Sequence, residues 1–261
     1  MQFQQIRSAT SIVTFGGKRF LIDPMLGPAN EYPAVPDAPV AGTGNPTYDL
    51  PCPVESVLDV DAVIATHLHF DHFDEVAMNV LPKALPLFCQ SEEEAAFLRT
   101  KGFEDVRVLS CEGTEFEGVT LFKTECDHGT SDEVTTIGYK MMQMSSEACG
   151  VVFKSEKENL TFYLAGDTVY CPFVDEAIAR YMPQVIAVNA AGAQFPLGHA
   201  LIMNQYDVQC LMQNHPNLDV IATHVEGVSH ATVNRPLLRQ FAQVKKLHRL
   251  YIPDDLETLS F

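Results

Sequence analysis

Five times along this chain an apolar run stops at a histidine or an aspartate. "FLID" ends at Asp23, "DAVIATHLHFDH" runs into His67–His72, "TLFKTECDH" reaches His128, "FYLAGD" reaches Asp167 and "VIATH" reaches His224. Short apolar runs bounded by polar residues read as buried strands. If the sheets containing them align, their ends converge on one edge, where the sheets give rigid anchors and the loops carry chemistry. A fold for this chain therefore has to gather several strand ends in one place.

The order of elements says how. Residues 2–9, 11–17 and 18–24 read as three strands, the second closed by a Gly-Gly turn. Residues 24–53 hold eight of the sixteen prolines and no periodic pattern. We read this stretch as a loop over a site, with an interdomain linker as the alternative. Strands and helices then alternate: strand 61–66, helix 73–84, strand 86–90, and helix 91–102 with a Ser cap, an acidic first turn and a closing Gly. Residues 106–110, 114–126, 136–142, 149–155 and 159–167 read as successive strands, mostly antiparallel. Alternation returns with helix 174–181, strand 184–190, helix 205–213, strand 218–224, helix 233–244 and strand 248–253. Two sheets packed face to face with helices outside satisfy this pattern, and 261 residues suffice for a single domain over 1–261.

Charge and cysteine content narrow the function. Seventeen Lys and Arg against 34 Asp and Glu give a net charge of −17, and no basic run exceeds Lys245-Lys246. Such a surface repels nucleic acid and anionic membranes, because phosphate binding relies on Lys and Arg displacing counterions. Small-molecule substrates remain. The seven cysteines are odd in number and form no C-x-x-C pair, which fits reduced thiols. The N-terminus lacks the basic and apolar regions of a signal peptide, and no apolar run reaches membrane-span length, so the expected location is cytoplasmic.

The densest cluster is "HLHFDH". His67 and His69 are two residues apart and point the same way in an extended segment. Asp71 and His72 follow where the chain turns into a helix, so four ligand-type side chains within six residues can address two metal ions rather than one. A solvated polar loop is the bland alternative, and it leaves this concentration of imidazoles unexplained.

"THLHFDH" resembles the histidine signature of the metallo-β-lactamase superfamily, and the resemblance runs along nearly the whole chain. Asp23 in "FLIDP", His128 in "ECDHG", Asp167 in "YLAGDT" and His224 in "VIATHVEG" stand in that superfamily's order of motifs. Within it, "NPTYDLPCPVESVLDVDAVIATHLHFDHFD", "THVEGVSHATVNRPLLR" and "IPDDLETLSF" resemble a bacterial branch of metal-dependent hydrolases similar to L-ascorbate 6-phosphate lactonases. The resemblance implies an α/β, four-layer αββα sandwich. It also implies two divalent ions, zinc or manganese with iron as a third choice. His67, His69 and His128 would hold the first, Asp71, His72 and His224 the second, and Asp167 would bridge them. Asp23 would support the histidine loop from behind. Histidine at 69, where the superfamily's di-iron flavoproteins carry glutamate, favours hydrolysis over oxygen chemistry. Aspartate at 167, where several true β-lactamases carry cysteine, argues against antibiotics as substrates.

The implied reaction is attack by activated water on a lactone or ester of a small acidic or phosphorylated metabolite. Asp71 would orient or deprotonate the nucleophile, and His230 would stabilise charge on the substrate. Relatives often assemble, so a homo-oligomer is among the implied partner states. Glu226 suits either support of a ligand imidazole or a plain loop acid, and His199 either a substrate contact or a surface loop. Tyr32 and Tyr48 are candidate lid contacts. A phosphodiesterase is the alternative enzyme, and a metabolite-binding module on a decayed scaffold the alternative class. A structural zinc site closes with four ligands, fewer than this set supplies.

Overall fold

The computed structural model describes residues 1–261 except Ala41, Gln143, Pro196 and Leu197. Strands β1 (Gln2–Arg7), β2 (Thr10–Phe15), β3 (Lys18–Ile22), β4 (Ala62–Ile64), β5 (Leu87–Cys89) and β6 (Val106–Val108) belong to one sheet. Strands β7 (Thr114–Phe116), β8 (Val119–Glu125), β9 (Cys149–Lys154), β10 (Phe162–Leu164), β11 (Val185–Asn189), β12 (Asp219–Thr223) and β13 (Leu250–Tyr251) form a second. The last strand, β14 (Thr258–Ser260), returns to the first sheet and pairs antiparallel with β1. Both sheets are mixed. β1–β3 run antiparallel and β3–β6 parallel, while β7–β10 run antiparallel and β10–β13 parallel.

The period-2 geometry of a strand decides which side chain faces which layer. In β3, Phe20 and Ile22 face the opposite sheet while Leu21 faces helices; in β10, Phe162 and Leu164 face inward and Tyr163 outward. Phenylalanines fill the space between the sheets, with Phe20 and Phe153 centroids 5.5 Å apart and Phe15 and Phe153 5.8 Å apart. Helices α1 (Glu75–Val80) and α2 (Glu92–Thr100) cover the first sheet through Ala77, Ala95 and Leu98. On the second sheet, α4 (Pro172–Tyr181), α5 (Gln205–Asn214) and α6 (Arg235–Lys245) pack through Val174, Ile178, Val208, Leu211 and Leu238. The four layers are those of the expected αββα sandwich.

Helix α3 (Glu133–Met142) corrects the sequence reading, which took 136–142 as a strand. Asp132 Oδ2 accepts from both the backbone N–H and the hydroxyl of Thr135, an N-terminal brace that starts the helix. Its buried residues are Thr135 and Tyr139, one turn apart, while Val134, Ile137 and Met141 stay outside. Helix α1 stops at Val80, well before the expected end at 84, because Leu81 precedes Pro82 and takes an extended conformation.

The proline-rich stretch leaves β3 and packs against the segment that follows β12. Val40 N–H donates to the Ser229 carbonyl, Thr47 N–H to the Gly227 carbonyl, and Ser229 N–H to Asn45 Oδ1. Arg7, fully buried, anchors it from β1. Its guanidinium donates to the carbonyls of Met25, Gly27 and Tyr48, so one side chain satisfies three loop carbonyls, the first two of them in buried hydrogen bonds. No helix among the described residues is long and apolar enough to cross a membrane.

Candidate metal centre

The strands that end in polar residues all end on one edge. β3 is parallel to β4, and β10 is parallel to β11 and β12, while β8 runs in the same sense as β10 because β9 is antiparallel to both. Their C-terminal ends therefore deliver Asp23, His67, His128, Asp167 and His224 to a common rim. The backbone leaves each strand abruptly there. Asp23 has φ 44° and His224 φ 51°, both left-handed. Gly166, directly before Asp167, has φ 70°, and a Cβ there would overlap the Cys149 carbonyl oxygen, so only glycine fits.

Each ring of the set has one nitrogen tied back into the protein. His72 Nδ1 donates to Asp23 Oδ2 at 2.9 Å, and His128 Nδ1 donates to the Leu201 carbonyl at 2.9 Å. His69 Nε2 donates to the Ser145 carbonyl at 2.7 Å, and His224 Nδ1 lies 2.9 Å from Ser8 Oγ. His67 Nδ1 sits 3.2 Å from Thr66 Oγ1. The second nitrogen of each ring faces the cluster, where His67 Nε2 and His69 Nδ1 lie 3.0 Å apart; tying back the first nitrogen fixes tautomer and orientation, as outer-shell partners do in metal-binding histidines.

Those nitrogens converge with two carboxylates. Asp167 Oδ2 lies 3.2 Å from His72 Nε2, 3.6 Å from His128 Nε2 and 3.9 Å from His67 Nε2. Asp71 Oδ2 lies 3.5 Å from His224 Nε2 and 3.7 Å from His230 Nε2. Three overlapping groups have ligand atoms within 4.8 Å of one another: His67, His69 and His128; His67, His72 and Asp167; Asp71, His72 and His224. His72 Nε2 is the test of fit. It is buried, and although Asp167 Oδ2 lies 3.2 Å away it makes no well-aligned hydrogen bond among the described residues. Burying an unpartnered polar nitrogen costs about 1–3 kcal/mol. A divalent cation facing it, three or four imidazoles and two carboxylates removes that cost, and the donor set suits zinc, manganese or iron.

The protonation states of four of these residues agree with that use. Burial, reinforced by the neighbouring imidazoles His72 and His69, pushes His67 well below the ordinary histidine value. His69 is pushed down to about 4, by burial and then His128. Both are neutral donors. Burial opposes ionisation of Asp71 and Asp167, yet His224 and His72 hold the first, and His72 and His128 the second, well below the usual carboxylate range. His72 goes the other way: against burial, Asp167 and Asp23 hold it well above the ordinary value.

Other residues find different places. Asp23, 1% exposed, accepts from Thr66 N–H, Thr66 Oγ1 and His72 Nδ1, which ties it to the histidine loop. His230 lies beside Asp71, with its Nδ1 unpartnered among the described residues. Glu226 does not reach the cluster; its oxygens accept from the Arg235 N–H and guanidinium at the start of α6. His199 is 79% exposed and faces Asp132 at 4.0 Å, outside the His/Asp cluster. Tyr32 stacks near Phe70 and its hydroxyl accepts from Glu75 N–H.

The sequence reading missed Asn189, Ser8, Thr66 and Tyr139. Asn189 Nδ2 donates to Asp167 Oδ1 at 2.5 Å, which leaves Oδ2 for the imidazoles. Its signal was available: it is the polar residue that ends the apolar run "VIAV". Ser8 carried none.

Beside the cluster lies a cavity of about 40 Å³, with Val35, Phe70, Tyr139, Met142, Met144 and Phe195 facing His69, Asp71, His128, Asp167 and His230. An adjoining groove of about 540 Å³ shares His69, Phe70 and Met144 with it and adds Phe97, Glu93, Glu94 and Glu147. No Lys or Arg lines either space among the described residues.

Residues 18–224 match the model of a family described as the beta-lactamase superfamily domain. The chain belongs to the metallo-β-lactamase superfamily. This superfamily member is 38% identical over 264 residues to the UPF0173 protein YddR of Bacillus subtilis, covering 100% of each chain, which places it in that protein's family. A UPF0173 metal-dependent hydrolase of Koribacter versatilis is 26% identical over 246 residues, 92% of this chain and 90% of the relative. Among solved structures, an isothiocyanate hydrolase from Delia radicum gut bacteria superimposes with a TM-score of 0.93 at 35% identity, covering 100% of this chain and 99% of the other.

Proposed function

We propose that this chain is a metal-dependent hydrolase of small, largely uncharged substrates with an electrophilic carbon, isothiocyanates first and lactones or esters second. The observation that carries the reading is the narrow apolar cavity set directly against the His/Asp cluster. About 40 Å³ admits the reacting group of a substrate, with its tail in the groove past Phe70 and Met144. The acidic or phosphorylated metabolite implied by the resemblance would meet Glu93, Glu94 and Glu147 there and no cation. An uncharged substrate avoids that repulsion. The 35% identity to an isothiocyanate hydrolase over the whole chain supports the choice of substrate class.

In this reading His67, His69 and His128 would hold one ion, Asp71, His72 and His224 would hold the other, and Asp167 would serve both. Zinc or manganese is the expected metal. Divalent ions held there bring the pKa of water toward neutrality and polarise the substrate. Asp71, kept ionised by His224, His72 and His230, orients the attacking water and takes its proton. His230 faces the same space and meets the charge that develops on the substrate. With an isothiocyanate the water oxygen bonds to the central carbon and the C=N electron pair moves to nitrogen. Nitrogen takes the proton, and the resulting monothiocarbamic acid breaks down to an amine and carbonyl sulfide.

The test is turnover by zinc- and manganese-loaded protein of benzyl isothiocyanate, δ-valerolactone, p-nitrophenyl acetate and bis-p-nitrophenyl phosphate. Fastest turnover of the isothiocyanate, with amine and carbonyl sulfide in equal amounts, is expected. Preference for the phosphodiester would move the reading to a phosphodiesterase. Binding without turnover of any would favour the binding module.

His72 adds a prediction about pH. A ligand histidine must lose its proton to metal. Because His72 is held above its ordinary value in the metal-free chain, protons compete for it from a pH above about 6.5 downward. His67 and His69, already neutral, do not compete in that range. Apparent zinc affinity is therefore expected to fall by about tenfold per pH unit once the pH drops below the raised His72 value, as titration with a competing chelator would read. The same ion pair stabilises the metal-free fold fully below about pH 6.5, and that contribution is lost as pH rises through the folded-state value. Zinc affinity that is flat from pH 8 to pH 6 would contradict the charged state of His72.

A further inference from the structure

The hydroxyl of Tyr139 is one of the buried polar groups left without a partner among the described residues. The residue projects from the buried side of α3, 2% exposed, onto the ligand set. Its ring stacks on His69 with centroids 5.8 Å apart and planes 24° apart, and lies 5.5 Å from His128 and 5.0 Å from Phe195. A phenylalanine would make all of those contacts. The hydroxyl adds nothing to them, and it is buried with no hydrogen-bond partner among the described residues. An unpartnered buried hydroxyl costs about 1–3 kcal/mol. Tyr139 also lines the small cavity together with Asp71 and His230, where a substrate's reacting group is placed by the function proposed above.

We propose that Tyr139 is a catalytic residue whose hydroxyl donates a hydrogen bond to the substrate heteroatom that gains negative charge as water adds to the carbon. This rests on the cavity being the substrate site. For an isothiocyanate that atom is the sulfur or nitrogen flanking the central carbon; for an ester or lactone it is the carbonyl oxygen. Tyr139 keeps its own proton throughout. The proton that ends on the substrate is the one released by the attacking water. The role is that of one donor in an oxyanion hole, built from a helix over the site rather than from backbone amides. The bond strengthens as charge develops, so its effect belongs on kcat more than on KM.

Tyr139→Phe in the zinc-loaded protein tests this, because the ring and its packing survive. A loss of about 100-fold in kcat on benzyl isothiocyanate is expected, with KM and zinc content close to those of wild type and a melting temperature above it, because the unpartnered hydroxyl is gone. Thiocyanate, which carries the same three-atom group, gives a second readout independent of turnover. Its calorimetric affinity for the zinc-loaded variant is expected to be about tenfold weaker, the loss of one hydrogen bond to a charged acceptor. A variant whose kcat stays within twofold of wild type, or whose thiocyanate affinity is unchanged, overturns the proposal, as does wild-type protein that does not bind thiocyanate. If wild type hydrolyses neither isothiocyanates nor lactones, the functional reading fails. The thiocyanate comparison then still decides whether Tyr139 donates into this cavity.

Discussion

Asp167→Ala is expected to strip the metal centre while the protein stays folded. Among the described residues, Asp167 Oδ2 is the one carboxylate oxygen within 4 Å of three of the imidazole nitrogens, those of His67, His72 and His128. Removing it takes a negative charge from between two sets of ligands, so neither ion keeps its balance of charge. Hydrolytic rate should fall by about 10³-fold or more, the several kcal/mol that a metal's electrostatic stabilisation of the transition state supplies. The sandwich core lies between the sheets, below this rim, and far-ultraviolet circular dichroism should be unchanged. Asp71→Ala makes the contrast. It leaves His67, His69 and His128 together and should retain close to half of the wild-type metal. Elemental analysis after dialysis reads both variants. Full metal and full activity in Asp167→Ala would remove this cluster from the chemistry.

How much of this was legible beforehand depends on how local each cause is. Asp23, His67–His72, His128, Asp167 and His224 could be found because each directly follows an apolar strand, a pattern that the strand itself writes into neighbouring residues. Their convergence needed the two sheets to align, which the element order implies. Tyr139 could not be found that way. Thr135, Thr136, Ile137 and Tyr139 are residues that favour strands, and Gly138 disfavours a helix interior. What makes the segment helical is Asp132 capping Thr135 and the burial of Thr135 and Tyr139 one turn apart, and the second of these is tertiary. Strand β14 was also missed. It is three residues long at an exposed edge, and only its pairing with β1 defines it. Ser8 reaches His224 across 216 residues of chain, a contact that no local pattern can carry.

Glu226 shows the converse. Its place in "HVEG", two residues after a candidate ligand, made it a candidate support for an imidazole. Arg235 and Asp255 instead build an ion-pair cluster that claims both Glu226 oxygens, while Ser8 supports His224 from the other side. Sequence distance to a ligand is thus a poorer guide than the geometry of the turn, which at His224 sends the chain away through a left-handed φ.

Asp23 lies outside the proposed ligand set, and the expected cost of removing it is large in stability rather than in chemistry. Asp23→Ala orphans three donors at once, Thr66 N–H, Thr66 Oγ1 and His72 Nδ1, and places alanine at a φ of 44° that aspartate and asparagine tolerate better. Breaking a buried charged pair from one side costs about 3–5 kcal/mol, so the metal-free protein should melt roughly 6–20 °C lower at this chain length. Asp23→Asn separates the two causes, because it keeps the backbone preference and one acceptor but loses the charge. Its melting temperature should fall by only a few degrees. Its zinc affinity at pH 8 should drop about 10–100-fold, the usual effect of removing the carboxylate behind a ligand histidine. The pH at which protons displace zinc should move downward in the same variant, since His72 loses one of the two carboxylates that hold its proton. Weaker binding together with a lower displacement pH is a signature that general destabilisation does not produce. If Asp23→Asn binds zinc as wild type does at every pH, Asp23 is a structural brace for Thr66 alone.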